Sequence, residues 1–230
     1  MSLLFVTGAD TGVGKTIVTA ALASAARQLG VAVSVCKPVQ TGTADGDDDL
    51  AEITRLSGVA DVHPGFRYPL PMAPKAAAAA AGAPMANRAG LREVIAAADG
   101  GGLTLVEGAG GLLVDLADDG ATLADLAVDL RAPTLVVVRA GLGTLNHTEL
   151  TLEALGHRGI RCAGLVIGSW PDDAGATERD NLAELGELAA LRGRLPAGVG
   201  ALDAERFGEC ALASLDHDWL RALAVQPVDQ

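Results

Sequence analysis

The chain has 230 residues, half of them hydrophobic and 20% charged, with 17 basic residues against 29 acidic ones and a net charge of -12. That composition can bury a full core without disulfides or metal and excludes a disordered chain. It also argues against a nucleic-acid partner, because clustered Lys and Arg are what attract a phosphate backbone.

Aromatic residues are only 3%, so the core is expected from Val, Leu, Ile and Ala at close backbone approach. The opening residues lack a basic leader, and no stretch reaches the ~18–20 apolar residues of a membrane span. A soluble, cytoplasmic protein without a membrane partner is the expectation. Residues 3–7 form an apolar run that ends in a glycine-rich turn. Residues 15–29 are alanine-rich and helical, stopped by Gly30. A strand follows over 31–36 and a helix over 48–56. Residues 63–84 are Pro-rich and read as a long surface loop ending in a helix start. Helices are then expected over 89–98, 123–130, 144–156 and 177–191, with strands over 103–106, 134–138 and 163–167. The strand candidates are continuous apolar runs, the pattern of strands covered on both faces. This alternation predicts an α/β fold, a doubly wound, mostly parallel sheet flanked by helices with right-handed crossovers. No linker or 20–50-residue repeat divides it, so one domain over 1–230 is expected.

The strongest chemical signal is Gly8-Ala9-Asp10-Thr11-Gly12-Val13-Gly14-Lys15-Thr16, between the first strand and the first helix. Glycines let a backbone turn its N–H groups around anionic oxygens, and the helix N-terminus adds its positive dipole end. Lys15 would reach the β/γ-phosphates and the Thr16 hydroxyl would ligate Mg²⁺. The spacing departs from the common form: five residues, not four, separate Gly8 from Gly14-Lys15-Thr16, and Ala9 takes the usual glycine position.

Three further segments follow strand candidates. Cys36-Lys37-Pro38-Val39-Gln40-Thr41-Gly42 could bring a second cation, Lys37, and a hydroxyl, Thr41, to the same crevice, since neighbouring parallel strands share their carboxyl ends. By itself Lys37 reads better as a solvated lysine in a Pro-containing loop. In Asp45-Gly46-Asp47-Asp48-Asp49, one acid could hold metal while others cap a helix. Asp49 is the choice for metal, though spacing does not separate it from Asp47 or Asp48. Leu105-Val106-Glu107-Gly108-Ala109-Gly110-Gly111 puts a carboxylate at the end of a buried strand, before a glycine loop whose amides can approach phosphate. The histidines (His63, His147, His157, His217) lack zinc spacing, and no nucleophile-elbow pattern occurs. Cys36, Cys162 and Cys210 are too dispersed for a framework and read as reduced thiols.

In combination these segments resemble the dethiobiotin synthetase family, which carries Gly-x-Asp-Thr-x-Val-Gly-Lys-Thr, Lys-Pro-Val-x-Thr-Gly and Glu-Gly-Ala-Gly-Gly in this order. The resemblance runs from Gly8 to about Gly200. It implies a P-loop α/β homodimer that carboxylates 7,8-diaminopelargonic acid with CO₂ and closes the ureido ring at the expense of ATP and Mg²⁺. Carried over, Gly12, Val13, Gly14, Lys15, Thr16 and Ile17 cradle the phosphates, and Glu107, Gly108, Ala109 and Gly110 lie along the nucleotide. Thr16, Asp49 and Glu107 hold the metal, Lys37 and Lys15 are the catalytic lysines, and Thr41 contacts substrate. Gly143, Thr144, Leu145 and Asn146, at a helix start suited to an anion, match the segment that reaches across the dimer to the substrate carboxylate.

One position departs from the resemblance. Gly168-Ser169-Trp170 stands where many members place an Asn that reads adenine. Base recognition is therefore expected to be weak or backbone-based, with Gly168 and Ser169 as one wall and Pro196, Ala197, Gly198 and Val199 as the other. The alternative is a P-loop switch or partitioning ATPase, which typically has an extra lysine early in the loop, where this chain has Ala9-Asp10-Thr11. Such proteins often end in a basic amphipathic tail, which residues 224–230 do not offer. A cobyrinate-type amidase would need an additional glutamine-hydrolysing domain.

Overall fold

The computed structural model describes residues 2–225, so the tail at 226–230 lies outside the described residues. Seven strands form one sheet, in the order β3-β2-β4-β1-β5-β6-β7, with every neighbouring pair parallel. In chain order the strands are β1 (Ser2–Gly8), β2 (Val33–Gln40), β3 (Val62–Arg67), β4 (Leu103–Gly111), β5 (Thr134–Val138), β6 (Cys162–Trp170) and β7 (Leu191–Pro196). The helices are α1 (Lys15–Gln28), α2 (Asp49–Ser57), α3 (Pro74–Ala81), α4 (Arg88–Ala97), α5 (Leu123–Asp129), α6 (Thr144–His157), α7 (Ala176–Leu188), α8 (Ala204–Ser214) and α9 (His217–Val225).

Alternate strand residues feed two cores. Leu4, Val6, Val35, Leu105 and Val137 pack on one face beneath α1, α2 and α8, with Leu22, Ile53 and Phe207. Phe5, Val106, Val136, Val138 and Ile167 pack on the other, against Leu91, Ile95, Leu123, Leu155 and Leu185 of α4 to α7. Both faces of the sheet are thus covered, which is why its strands read as continuous apolar runs. In α1, Ala20, Ala21, Ala23, Ala25 and Ala26 are all buried. Their methyl groups are the small contacts that the aromatic-poor composition implies.

Residues 63–84 correct the sequence reading. Instead of one long loop they hold nearly all of β3 and the whole of α3. β3 is an edge strand, where Pro64 removes an N–H that a central ladder would need. Gly65 is required there, because a Cβ would lie 2.1 Å from the Pro38 carbonyl oxygen of β2. The expected helix over 177–191 ends at Leu188, and the second edge strand, β7, starts at Leu191.

Strand lengths differ in a way that matters for the site. β2 runs to Gln40 and β4 to Gly111, so Lys37 and Glu107 lie inside buried strands and not in loops after them. A lone charge buried in such a strand would carry a large desolvation cost. Here two opposite charges on neighbouring strands compensate each other, and the ladder continues.

Candidate active site

The carboxyl ends of β1, β2 and β4 meet beside β1, where strands β4, β2 and β3 lie on one side and β5, β6 and β7 on the other. Open α/β sheets bind ligands at such a switch point. A cavity of about 490 Å³ opens there, lined by Thr11, Gly12, Gly14, Lys15, Thr16, Ile17, Lys37, Gln40, Thr41, Asp47, Asp49, Glu107, Ala109 and Gly110.

The phosphate loop is built by backbone geometry. Gly12 and Gly14 have φ of 69° and 93°, the left-handed region open to glycine, and Gly14 caps the start of α1. A Cβ on Gly8 would lie 2.6 Å from the Asp10 carbonyl oxygen and 3.2 Å from Lys15 Nζ. Only a glycine lets the loop and its lysine fold back so closely. Lys15 is 9% exposed, and among the described residues no ion pair holds it. Burial, followed by the nearby Lys37 cation, moves its pKa below the ordinary lysine value.

Lys37 is in the opposite situation. Its Nζ lies 2.6 Å from Asp49 Oδ2 and 2.7 Å from Glu107 Oε1, and it donates to the Gly108 carbonyl at 3.0 Å. Burial alone would lower its pKa, but the Glu107 and Asp49 carboxylates outweigh that effect and raise it. Asp49 is also partly buried, which disfavours its charge. Lys37 more than offsets this and holds the Asp49 carboxyl below the usual range. Thr16 donates its hydroxyl to Glu107 Oε1 at 3.0 Å, which ties the first helix to this cluster.

The acidic run divides its labour. Asp48 caps α2 by accepting from the Ala51 N–H at 3.0 Å, and it pairs with Arg67 at 3.0 Å. Asp49 faces Lys37, and Asp47 lines the cavity. The sequence reading missed Gln40, whose amide donates to the Thr41 carbonyl at 2.8 Å and accepts from the Asp49 N–H at 3.2 Å. No motif marks this glutamine; a polar residue near the end of an otherwise buried strand was its one signal.

Other expected residues lie outside the cavity. Val13 is buried in the core. Gly168 backs onto the phosphate loop: its Cβ would sit 2.0 Å from the Val13 carbonyl oxygen. The missing side chain is thus a packing requirement. Ser169 and Pro196 to Val199 form neighbouring strand ends and a turn, tied by the Ala197 N–H to the Trp170 carbonyl at 2.8 Å. Gly143 to Asn146 start α6 away from the cavity of their own chain, and Thr144 turns into the core, its hydroxyl without a partner among the described residues.

For Mg²⁺, the donor set has the right chemistry. Glu107 is fully buried, yet its Oε2 has no hydrogen-bond partner among the described residues. With Asp49 and the Thr16 hydroxyl it offers hard oxygens beside a phosphate loop, and Mg²⁺ commonly takes one or two carboxylates together with substrate phosphates. Among the described residues no group of three or more acids, histidines or cysteines could hold a metal without such help.

A parallel sheet with a glycine loop between β1 and α1, and with acids and lysines at its carboxyl edge, defines the phosphate-loop nucleotide-binding class. The architecture resembles that in the MinC:MinD cell division protein complex of Aquifex aeolicus (TM-score 0.56, 14% identity, 100% of this chain and 99% of that one). It is also similar to a ParA family ATPase of Chlorobium tepidum TLS (TM-score 0.56, 12% identity, 96% and 97%). At those identities the likeness speaks for the fold alone. A family model described as an AAA domain matches residues 2–200. The ATP-dependent dethiobiotin synthetase of Mycolicibacterium gilvum is 58% identical over 224 residues, covering 97% of this chain and 99% of the relative. That of Mycobacterium tuberculosis is also 58% identical, with the same coverage. The chain belongs to the dethiobiotin synthetase family.

Proposed function

We propose that the chain closes 7,8-diaminopelargonic acid and CO₂ into dethiobiotin, converting a nucleoside triphosphate to its diphosphate and phosphate with Mg²⁺ present. The observation that carries this reading is the Lys37–Asp49–Glu107 cluster, facing Lys15 and Thr16 across one cavity. One substrate amine takes up CO₂ as a carbamate, whose oxygen attacks the γ-phosphoryl group as the bond to the β-phosphate breaks and the nucleoside diphosphate leaves. The second amine then attacks the resulting carbamic-phosphoric anhydride and expels phosphate. The first step sets an anionic nucleophile against an anionic phosphate. Lys37, kept cationic by its two carboxylates, and Lys15, buried against the loop, screen that repulsion and stabilise the charge that develops. Asp49, Glu107 and Thr16 would hold Mg²⁺, which supplies further neutralisation of the phosphates when bound. Thr41 would contact the amine-bearing substrate.

Gly168 and Ser169, with Pro196 to Val199, would flank the base. In the proposed homodimer, Gly143 to Asn146 of one subunit would reach the substrate carboxylate in the other. Leu113 and Leu150 support such an interface: both are exposed and line one surface cavity with Leu112 and Ala154, a contiguous apolar patch of the kind that marks association. The whole chain is proposed to act as one domain in the cytoplasm. No helix among the described residues is long and apolar enough to cross a membrane.

The test is to incubate the purified chain with diaminopelargonate, bicarbonate, Mg²⁺ and ATP and to look by mass spectrometry for the ureido product. Product that disappears on chelation is the expected result. Nucleotide hydrolysis without that product would sink the reading in favour of a switch ATPase.

A further inference from the structure

Both polar groups of the Thr11 backbone are held from outside the phosphate cradle. Its N–H donates to Asp10 Oδ1 at 2.7 Å. Its C=O accepts from Arg139 Nη2, also at 2.7 Å, although the two residues are 128 positions apart. Arg139 follows directly after β5, and its Nη2 lies 3.5 Å from Asp10 Oδ2. His147 Nδ1 stands 3.8 Å from that same oxygen. Arg139 and Asp10 are about half exposed, so their ion pair contributes little by itself. The directional contact to the carbonyl is the informative one.

A trans peptide is planar, and its C=O points opposite to the N–H of the following residue. Fixing the Thr11 C=O toward Arg139 therefore turns the Gly12 N–H the other way. Arg139 is not part of the cavity wall, whereas Thr11, Gly12 and Gly14 are. The Gly12 N–H has no acceptor among the described residues. Gly12 has φ of 69°, and a glycine accepts either sign of φ. Nothing intrinsic to this stretch of backbone keeps the peptide from turning over.

We propose that Arg139 is a positioning residue: it locks the Thr11–Gly12 peptide so that the Gly12 N–H aims at the phosphate oxygens of the bound nucleotide. Asp10 assists by orienting the guanidinium and by drawing the Thr11 N–H out of the cradle. The proposal rests on the nucleotide reading of the cavity given above. It makes Arg139 act through one amide, not as a remote cation attracting phosphate.

The experiment follows the Gly12 amide by NMR in the full chain, labelled with ¹⁵N-glycine and titrated with ADP, alongside steady-state kinetics. In the wild type and in Arg139→Lys, which keeps a donor for the carbonyl, the Gly12 amide should shift on saturation. In Arg139→Ala the shift should fall to less than about half. KM for ATP should then rise about three- to tenfold, the loss expected from one hydrogen bond, while kcat and the KM for diaminopelargonate stay within about twofold. An equal Gly12 shift in wild type and Arg139→Ala would overturn the proposal, as would a fall in kcat at unchanged KM for ATP. A Gly12 amide silent to ADP in the wild type as well would overturn the nucleotide reading of the loop, and this proposal with it.

Discussion

On the β2–β4 side of the cavity the strands themselves carry charge: Glu107 and the adjoining Asp49 each lie within 2.7 Å of the Lys37 ammonium. On the β6 side, behind the phosphate loop and outside the cavity, the contact is bare backbone, with Gly168 pressed against Val13 and Gly14. The first arrangement places ions in a buried sheet and is tolerable only because the Lys37 ammonium pairs directly with both carboxylates, which leaves one negative charge in excess. The second places no charge at all and depends on the absence of a side chain. Chemistry is thus concentrated on one half of the sheet edge and close fit on the other. Lys15, between them, has no direct ion pair among the described residues and little solvent access, though Glu107, Asp49 and Asp10 partly offset its charge.

The largest effect that probes this contrast is expected from Lys37→Ala. Turnover should drop by about 10²–10³, the scale for losing one buried electrostatic donor, while nucleotide Kd changes less than about tenfold. Near-normal turnover in the purified variant would refute the role given to Lys37. Removing the cation also leaves Glu107 buried and uncompensated, so thermal stability should fall by about 3–5 kcal/mol. The double variant Lys37→Met, Glu107→Gln should recover the melting temperature but not the activity.

Next comes Gly168→Asn, which tests the close-fitting half. Its Cβ would stand 2.0 Å from the Val13 carbonyl oxygen and 3.0 Å from Val137 Cγ1, so the phosphate loop must move. KM should rise about tenfold or more for every nucleotide, because the loop and not the base is disturbed. In the wild type, turnover with ATP, CTP and GTP should agree within about tenfold, the limit a wall of weak contacts can enforce. A strong wild-type preference for ATP would show that the base is read by a side chain after all.

The smallest effect concerns Lys15→Met. Burial, followed by the Lys37 cation, lowers the pKa of Lys15 in the folded state, so the charged form costs folding stability at neutral pH, and the variant should melt at a higher temperature than the wild type. Phosphate binding should be lost in exchange, as at other functional positions that are kept destabilised. The stability gap should close as pH rises through the folded pKa of Lys15, where the wild type sheds its proton more readily folded than unfolded. A Lys15→Met chain less stable than wild type would mean that its packing, and not its charge, dominates at that position.

Short-range features were legible in the residue order. The glycine loop, the apolar runs of β1, β4 and β5 and the alanine-rich α1 depend on local conformational preference and on burial on both faces, and these leave a direct imprint on composition and spacing. The order of Gly8-to-Thr16, Lys37 and Glu107 after successive strands likewise predicted one shared crevice, because parallel strands bring their carboxyl ends together. Other features needed the folded chain. Val62–Arg67 looks like a loop by propensity and becomes a strand only because an edge position tolerates Pro64 and β2 supplies a partner. Asp48 and Asp49 are chemically identical neighbours; the α2 cap takes one and Lys37 takes the other. Arg139 carries no motif and reaches Thr11 only because β5 lies beside β1. Sequence by itself determined which segments could turn, pair and bind an anion, since those are local properties. The tertiary structure decided which charges meet and which backbone groups are held, since these depend on contacts between residues far apart along the chain.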